Sequence, residues 1–432
     1  MRVPGLLAAV LVVSSLTAAP VAAEGVTTVL LTGDSVVQGS AGDWTWRYRL
    51  WQHLSATGSP VDFVGPRTDL YDYERFVPGS HDYVDPGFDT DHAATWGSSF
   101  TSPGYSVGDL VREFRPDVVV GSFGINDLVG YYATPQAVLV LATDYVEQVR
   151  AADSGVDVVL TALPQVWIPG AVDYNAGLPG LASRLSTPDS RVVVAAPAEP
   201  LTEYLDTWDA AHLSATGEVK VAAGMADALA SLGVGSPYPR PLPRVPNGPR
   251  TPAELTVRTR GSTMAELTWI DPPGATGEYI WMRDVSGAEA WSRVVGPEPG
   301  NVWLVGGLLQ GHDYEFRLQA LKGTAVAEDL FSNPAAVTRP PPRIAAVRVK
   351  SRRRSLRLRW WTMWPVAQDV TYRVRWWRKG HPRKATSRRT RDSTLRIRRL
   401  RTGVHYRIVV RARKAGVPGP RKRIIGIPLA RR

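Results

Sequence analysis

The 432-residue chain contains no cysteine. It therefore cannot form disulfide bonds, carry the lipid-modified cysteine of a lipoprotein or build a thiolate metal site. Long apolar segments are also missing, because the apolar run 6–13 is much shorter than the roughly 20 residues that a membrane-spanning helix needs. We therefore expect a protein without a membrane span that is stabilised by buried hydrophobic cores.

The N-terminal segment has the layout of a secretory signal peptide. Arg2 precedes the apolar run, and a stretch of small residues ends at Ala23. A basic start, a short apolar middle and a small-residue end are typical of a cleaved leader. We predict that residues 1–23 are a signal peptide and that the mature protein is secreted and extracellular.

Acidic residues are scarce in the last part of the chain. Residues 341–432 contain 30 Lys and Arg but only Asp369 and Asp392, which gives a net charge of +28. Because the whole chain carries +11, residues 1–340 carry −17. An acidic body with a basic tail indicates two parts with separate roles.

Residues 24–235 alternate short apolar runs with amphipathic stretches, which predicts a three-layer α/β domain with a parallel sheet. The predicted strands are 26–31, 61–64, 118–122, 156–163 and 192–196, and the predicted helices are 44–54, 135–151 and 216–232. In such sheets a ligand binds beyond the carboxyl ends of the strands.

A proline-rich linker, residues 236–248, is predicted to separate this domain from two smaller units, 249–339 and 341–432. Both units show period-two alternation of apolar and polar residues, which is typical of β-sandwiches. Each has a tryptophan followed some 45 residues later by a tyrosine: Trp269 and Tyr314 in one, Trp360 and Tyr406 in the other. In size and pattern both units resemble fibronectin type III modules.

Three short motifs carry residue types suited to acyl transfer. Ser35 follows the first predicted strand, Asn126 follows the strand 118–122, and Asp209 precedes His212 by three residues near the last helix. Each has an ordinary structural explanation when taken alone: a helix cap, a turn residue and a surface pair. Together they provide a hydroxyl, an amide donor, an imidazole and a carboxylate at predicted strand ends.

The order of these motifs resembles that of the SGNH or GDSL hydrolases, over roughly residues 26–232. The resemblance implies a flavodoxin-like fold and a serine ester hydrolase that works through an acyl-enzyme, without cofactor or metal. It implies that Ser35 is the nucleophile, His212 the general base and acid, and Asp209 the residue that orients it. Ser35, Gly97 and Asn126 would then form the oxyanion hole.

The stretches 42–50 and 61–65, together with Asp91 and His92, resemble the carbohydrate acetyl esterase branch of this family. That branch usually reads Asp-His-Glu-Gly-His-Ser-Gly around the oxyanion glycine, whereas this chain has Ala-Ala-Thr-Trp at 93–96. We therefore expect hydrolysis of O-acyl, chiefly O-acetyl, esters on carbohydrate. The alternatives are a lipase or short-chain carboxylesterase, and a surface-binding protein with a catalytically weak domain.

Arginine alternates with apolar residues along the predicted strands of residues 341–432, as in Leu-Arg-Leu-Arg-Trp at 356–360. Period two places these arginines on the face opposite the core. Such a surface fits an anionic cell-wall polymer with phosphate or carboxylate groups, which would associate the protein with the cell wall. Nucleic acid would satisfy the same physics, and a solvated face without a partner is the remaining alternative.

Overall fold

The computed structural model describes residues 25–366 and 369–429. The predicted signal peptide, residues 1–23, lies outside the described residues. Among the described residues, no helix combines the length and the apolar character that crossing a membrane requires.

The first domain alternates strands and helices in the order that the sequence predicts. Its strands are β1 Thr27–Gly33, β2 Val61–Val64, β3 Leu70–Asp72, β4 Val77–Ser80, β5 Ala93–Ala94, β6 Val118–Ser122, β7 Asp157–Thr161 and β8 Val192–Ala195. Its helices are α1 Ser35–Gln38, α2 Trp46–Ala56, α3 Val107–Phe114, α4 Ile125–Val129, α5 Pro135–Ala152, α6 Ala171–Leu185 and α7 Ala215–Ser231.

The central sheet has the order β2-β1-β6-β7-β8, with the short β5 paired to the end of β1. All of these pairings are parallel. When these five strands are numbered one to five in chain order, the sheet has the 2-1-3-4-5 arrangement of flavodoxin-like folds. The predicted fold class is therefore confirmed. Helices α2 and α7 cover one face, and α3, α5 and α6 cover the other. The continuous apolar runs of the strands follow from burial on both faces.

Two β-sandwiches follow, and both have the same topology. The first comprises β9 Glu254–Arg260, β10 Met264–Ile270, β11 Gly277–Asp284, β12 Ser292–Glu298, β13 Val302–Val305, β14 Asp313–Lys322, β15 Ala325–Val326 and β16 Ala335–Thr338. The second comprises β17 Ile344–Arg352, β18 Ser355–Thr362, β19 Thr371–Arg378, a 3₁₀ turn Pro382–Lys384, β20 Thr386–Thr390, β21 Thr394–Ile397, β22 Tyr406–Lys414, β23 Val417–Pro418 and β24 Lys422–Gly426.

In each sandwich a three-stranded sheet packs on a larger one: β13-β10-β9 on β12-β11-β14-β15, and β17-β18-β21 on β20-β19-β22-β23. The hydroxyl of Tyr314 accepts the amide of Leu309, and that of Tyr406 accepts the amide of Arg401, at 3.0 and 3.1 Å. This tyrosine corner is a hallmark of immunoglobulin-like sandwiches, and it confirms the predicted fibronectin type III-like fold of both units.

Candidate active site

Ser35 lies where strand β1 gives way to helix α1. The carboxyl group of Asp34 caps this helix by accepting the amide of Val36 at 2.9 Å, which fixes the backbone on both sides of Ser35. Burial raises the pKa of Asp34 to about 7, and the charge of Asp127 adds to the shift. The serine is thus presented at the carboxyl edge of the sheet by a rigid turn.

The imidazole of His212 lies between Ser35 and Asp209. Its Nε2 atom is 3.0 Å from Ser35 Oγ, and its Nδ1 atom is 2.8 Å from Asp209 Oδ2. Burial raises the pKa of Asp209, but the hydrogen bonds and the charge of His212 outweigh it, so the net shift is downward. An ionised Asp209 that accepts Nδ1–H leaves Nε2 as the acceptor facing the serine hydroxyl.

The short loop that carries Asp209 and His212 is stabilised by a hydrogen bond within the loop and by one from Trp167. Asp209 Oδ1 accepts the amide of His212 at 2.8 Å. Ala210 adopts a left-handed backbone with φ of 71°, and its carbonyl accepts the indole N–H of Trp167 at 2.9 Å. A left-handed alanine is uncommon and needs such external support.

The segment that contains Gly97 lies against the end of strand β1. The amide of Thr95 and the hydroxyl of Ser98 both donate to the carbonyl of Gly33, at 3.1 and 2.9 Å. Gly97 lies between them with φ of 78°, a conformation that favours glycine. Asn126 Nδ2 donates to the carbonyl of Ser98 at 2.8 Å. The structure therefore brings Gly97 and Asn126 to the strand edge that carries Ser35.

Three N–H groups at this edge could donate to a bound oxygen atom. Among the described residues, the backbone amides of Ser35 and Gly97 donate to no protein acceptor. Asn126 has a second amide hydrogen whose contact with Asp34 is long, at 3.5 Å. Donors of this kind stabilise a developing oxyanion.

The cleft in front of Ser35 is narrow. Its free volume is ≈ 10 Å³, about the space that one water molecule requires. Trp96 lines it together with Ser35 and His212, and the Trp96 indole is stacked on Tyr71 with ring centroids 4.4 Å apart. The departure from the family pattern at position 96 therefore places a large ring directly at the site.

Sequence reasoning missed two buried polar residues that join the parts of the site. Gln38 Oε1 accepts the amide of Trp96 at 2.7 Å, which links helix α1 to the Gly97 segment. The guanidinium of Arg47 is fully buried and donates to the carbonyl of Gln38 at 3.2 Å. The available signal was the position of Arg47, three residues before the buried Leu50 on the inner face of α2.

Within the described ranges, no cluster of three or more His, Asp or Glu side chains could hold a metal ion. The chemistry that the site can supply is that of a hydroxyl next to an imidazole, with amide donors beside them.

No family model matches the sequence, and no curated protein sequence matches it. Similar solved structures include a carbohydrate esterase family 3 structure from Talaromyces cellulolyticus, with 25% identity over 48% of this chain and 97% of that chain and a TM-score of 0.41. A family 3 carbohydrate esterase from Clostridium thermocellum has 22% identity over 48% and 96%, with a TM-score of 0.40. A two-domain fibronectin type III segment from chicken tenascin has 16% identity over 41% and 99%, with a TM-score of 0.31. The chain is thus similar to carbohydrate esterase structures and to fibronectin type III structures, the two groups that its motifs resemble.

Proposed function

We propose that this protein is a serine esterase that removes small acyl groups, chiefly acetyl, from carbohydrate. The observation that carries the proposal is the continuous hydrogen-bonded chain from Ser35 through His212 to Asp209, with distances of 3.0 and 2.8 Å. This arrangement activates a serine hydroxyl at neutral pH.

The proposed reaction has two steps. His212 Nε2 takes the hydroxyl proton as Ser35 Oγ bonds to the acyl carbon, and the oxyanion is held by the N–H groups of Ser35, Gly97 and Asn126. His212 then gives the proton to the leaving alkoxide, and the acyl group remains on Ser35. In the second step His212 deprotonates a water that attacks this ester, and release of the carboxylic acid restores the serine.

The narrow cleft favours a short acyl chain. Trp96 lines this cleft together with Ser35 and His212, so its indole limits the space beside the serine. An acetyl group has two carbons, whereas the eight-carbon chain of an octanoyl group would need much more space beside the indole. This argument favours an acetyl esterase over a lipase.

Aromatic side chains around the cleft support a carbohydrate as the alcohol part. Phe76 is 67% exposed. Phe76 contacts Tyr73, and the Tyr73 ring lies 5.0 Å from that of Trp208 next to the site. Exposed ring faces of this kind can pack against the apolar faces of sugar rings.

The decisive test compares the wild type with Ser35→Ala on p-nitrophenyl acetate and on acetylated xylan, measuring released nitrophenol and acetate. We expect the variant to lose at least about 10³-fold in kcat. Equal rates for the two proteins would end the esterase proposal. Preference for octanoyl over acetyl esters in the wild type would support the lipase alternative instead.

We also propose that the second sandwich binds an anionic cell-wall polymer. In its strands buried residues alternate with exposed or half-exposed arginines. Register places arginines side by side across both sheets: Arg389, Arg373 and Arg411 form one row, and Arg357 lies opposite Arg396 on the other sheet. Like charges in neighbouring positions cost stability unless a partner neutralises them.

The charge of this sandwich is not balanced internally. Within the described ranges, the salt bridges of this unit are those of Lys414 alone. Burial lowers the pKa of Arg411, and the charges of Arg421 and Arg413 add to the shift. A polymer of phosphate or carboxylate groups would relieve this repulsion and release its own counterions.

Retention of the full chain on immobilised poly(glycerol phosphate) and on polygalacturonate, eluted with a salt gradient, tests this second proposal. The Arg373→Glu/Arg411→Glu variant should elute at lower salt than the wild type, and the charge-matched control Arg112→Glu/Arg184→Glu should elute with the wild type. Identical elution of all three would contradict the proposal. Tighter retention on double-stranded DNA than on either polymer would favour a nucleic acid partner.

We propose that these activities take place outside the cell, because residues 1–23 have the layout of a cleaved leader. N-terminal sequencing of protein recovered from the culture medium should begin at Glu24. Recovery of intact protein only from the cytoplasm would contradict this location.

A further inference from the structure

One turn of the first sandwich lies against the catalytic domain next to the candidate site. This turn, residues 322–324, connects β14 to β15. It contacts two segments of the catalytic domain: 40–43, which follows the Ser35 helix, and 204–208, which precedes Asp209. We name it the docking turn.

Lys322 enters the catalytic domain from this turn. Its Nζ atom lies 2.5 Å from Ser40 Oγ, 2.9 Å from the carbonyl oxygen of Ala41 and 2.6 Å from Asp43 Oδ1. The lysine side chain is only 6% exposed. A buried ammonium is strongly unfavourable unless it is paired and hydrogen-bonded, so the environment of Lys322 is built for this charge.

The partners of Lys322 belong to the site itself. Ser40 and Asp43 line the same narrow cleft as Ser35 and His212. Asp43 Oδ2 also accepts the amide of Ser40 at 2.8 Å. The ion pair therefore fixes the loop that forms one wall of the cleft.

Thr324, the last residue of the docking turn, binds the second segment of the catalytic domain, 204–208. Its amide donates to the carbonyl of Trp208 at 2.8 Å, and its hydroxyl donates to the carbonyl of Tyr204 at 3.0 Å. The amide of Trp208 in turn donates to the carbonyl of His212 at 2.9 Å. The Trp208 indole lies near-parallel to the imidazole with ring centroids 5.2 Å apart, and Lys322 Nζ lies 5.1 Å from the same indole.

Three glycines allow the two domains to approach this closely. A Cβ atom at Gly323 would overlap the carbonyl of Trp208, one at Gly274 would overlap the carbonyl of Ala41, and one at Gly42 would overlap Pro273. Backbone packed directly on backbone is a feature of a specific, rigid contact.

The second sandwich contacts the first through an equivalent buried lysine. Lys414 follows Tyr406 by eight residues, as Lys322 follows Tyr314. It is 1% exposed, and its Nζ atom lies 2.8 Å from Asp313 Oδ2 and 2.6 Å from Ser286 Oγ of the first sandwich. The lysine at the end of this strand therefore contacts the preceding domain in both sandwiches.

We infer that the first sandwich is a working part of the esterase site, in which Lys322 and Thr324 act as positioning residues for the Ser35 and His212 loops. The effect that we expect this positioning to have on turnover rests on the proposed esterase function. A small misplacement of a catalytic group costs up to about 10²-fold in rate, so weakening the docking turn should lower turnover without removing any group that touches substrate.

The test compares Lys322→Met with Lys414→Met in the full chain. Both replace a buried interdomain lysine while keeping most of its length, but only Lys322 contacts the site. We expect the kcat of Lys322→Met on p-nitrophenyl acetate to fall about 10- to 100-fold with KM within about twofold, and Lys414→Met to match the wild type. Should Lys322→Met not fold, Thr324→Val decides the question by the same criteria.

Hydrogen–deuterium exchange of the same proteins provides a readout that does not depend on turnover. Backbone amides in 38–45 and 204–213 should exchange faster in Lys322→Met and be unchanged in Lys414→Met. Wild-type exchange and wild-type kcat in Lys322→Met, even with a lower melting temperature, would reduce Lys322 to a stabilising contact and overturn the inference. Faster exchange in a protein whose wild type hydrolyses no ester would overturn the proposed function while leaving the docking role intact.

Discussion

The indole of Trp96 lies nearly parallel to the imidazole of His212, with ring centroids 4.1 Å apart and an interplanar angle of 21°. In the proposed mechanism, Trp96 covers the imidazole ring that carries a positive charge while Ser35 attacks. An aromatic face stabilises such a cation by roughly 0.5–2 kcal/mol. The same indole limits the space beside the serine.

Replacement of Trp96 with alanine should change acyl preference. The ratio of kcat/KM for p-nitrophenyl butyrate to that for the acetate should rise about tenfold, because added methylene groups then find apolar space and each contributes about 0.8 kcal/mol. Trp96→Phe, which keeps a ring over the imidazole, should retain most of the wild-type preference. An unchanged ratio in Trp96→Ala would show that this side chain does not bound the acyl pocket.

Asn126→Ala should lower kcat for ester hydrolysis by about 10²- to 10³-fold with little change in KM, because an oxyanion donor acts mainly in the transition state. Asn126 also anchors the carbonyl of Ser98, so a matched structural control is needed. Asn175 bonds both backbone groups of Leu163 at 2.8 and 2.9 Å. Asn175→Ala should lower the melting temperature but keep kcat, and equal kinetic losses in the two variants would argue against an oxyanion role.

Asp209→Asn should reduce kcat by about 10³- to 10⁴-fold, because an amide in place of the carboxylate no longer fixes the tautomer that leaves His212 Nε2 free to accept a proton. Stopped-flow hydrolysis of p-nitrophenyl acetate would measure the loss, and circular dichroism would verify that the fold is intact. A loss of less than about tenfold would mean that His212 is oriented by its ring contacts rather than by Asp209.

The sequence predicts the catalytic domain best where apolar runs are buried on both faces. Strand β6 was predicted with its observed bounds and β2 likewise, whereas the predicted strand 156–163 ends at Thr161. Helices α3 and α6 were missed. Helix α3 has only eight residues, and α6 contains Pro179 together with Gly177 and Gly180, residues that weaken a helical signal.

The motifs located the groups that meet at the site, because the carboxyl ends of parallel strands converge at one edge whatever their spacing in the chain. No sequence pattern predicted the docking turn. Lys322 and Asp43 are 279 residues apart, and their contact depends on how two separate domains pack. Trp96 was visible as a departure from the family pattern, but its stacking on His212 depends on side-chain packing that no periodicity encodes.

Asp34 predicts a specific dependence of stability on pH. Burial raises the pKa of this carboxyl from 3.8 to about 7, so the folded protein retains a proton that the unfolded chain releases near pH 4. The stabilising effect of that proton is present below pH 4 and is lost as the pH rises through 7. Asn at this position keeps an oxygen acceptor for the amide of Val36 but has no proton to lose.

Unfolding of the catalytic domain should therefore respond differently to pH in Asp34→Asn and in the wild type. Between pH 5 and pH 8.5 the wild type should lose more unfolding free energy than the variant, by an amount on the order of 2–4 kcal/mol. Thermal and urea unfolding at both pH values measure this, with the exposed Asp189→Asn as a control that removes the same charge from the surface. Parallel pH dependences for Asp34→Asn and the wild type would mean that Asp34 is ionised throughout the range. The N–H groups around Asp34 would then have to stabilise its negative charge in the turn that presents Ser35.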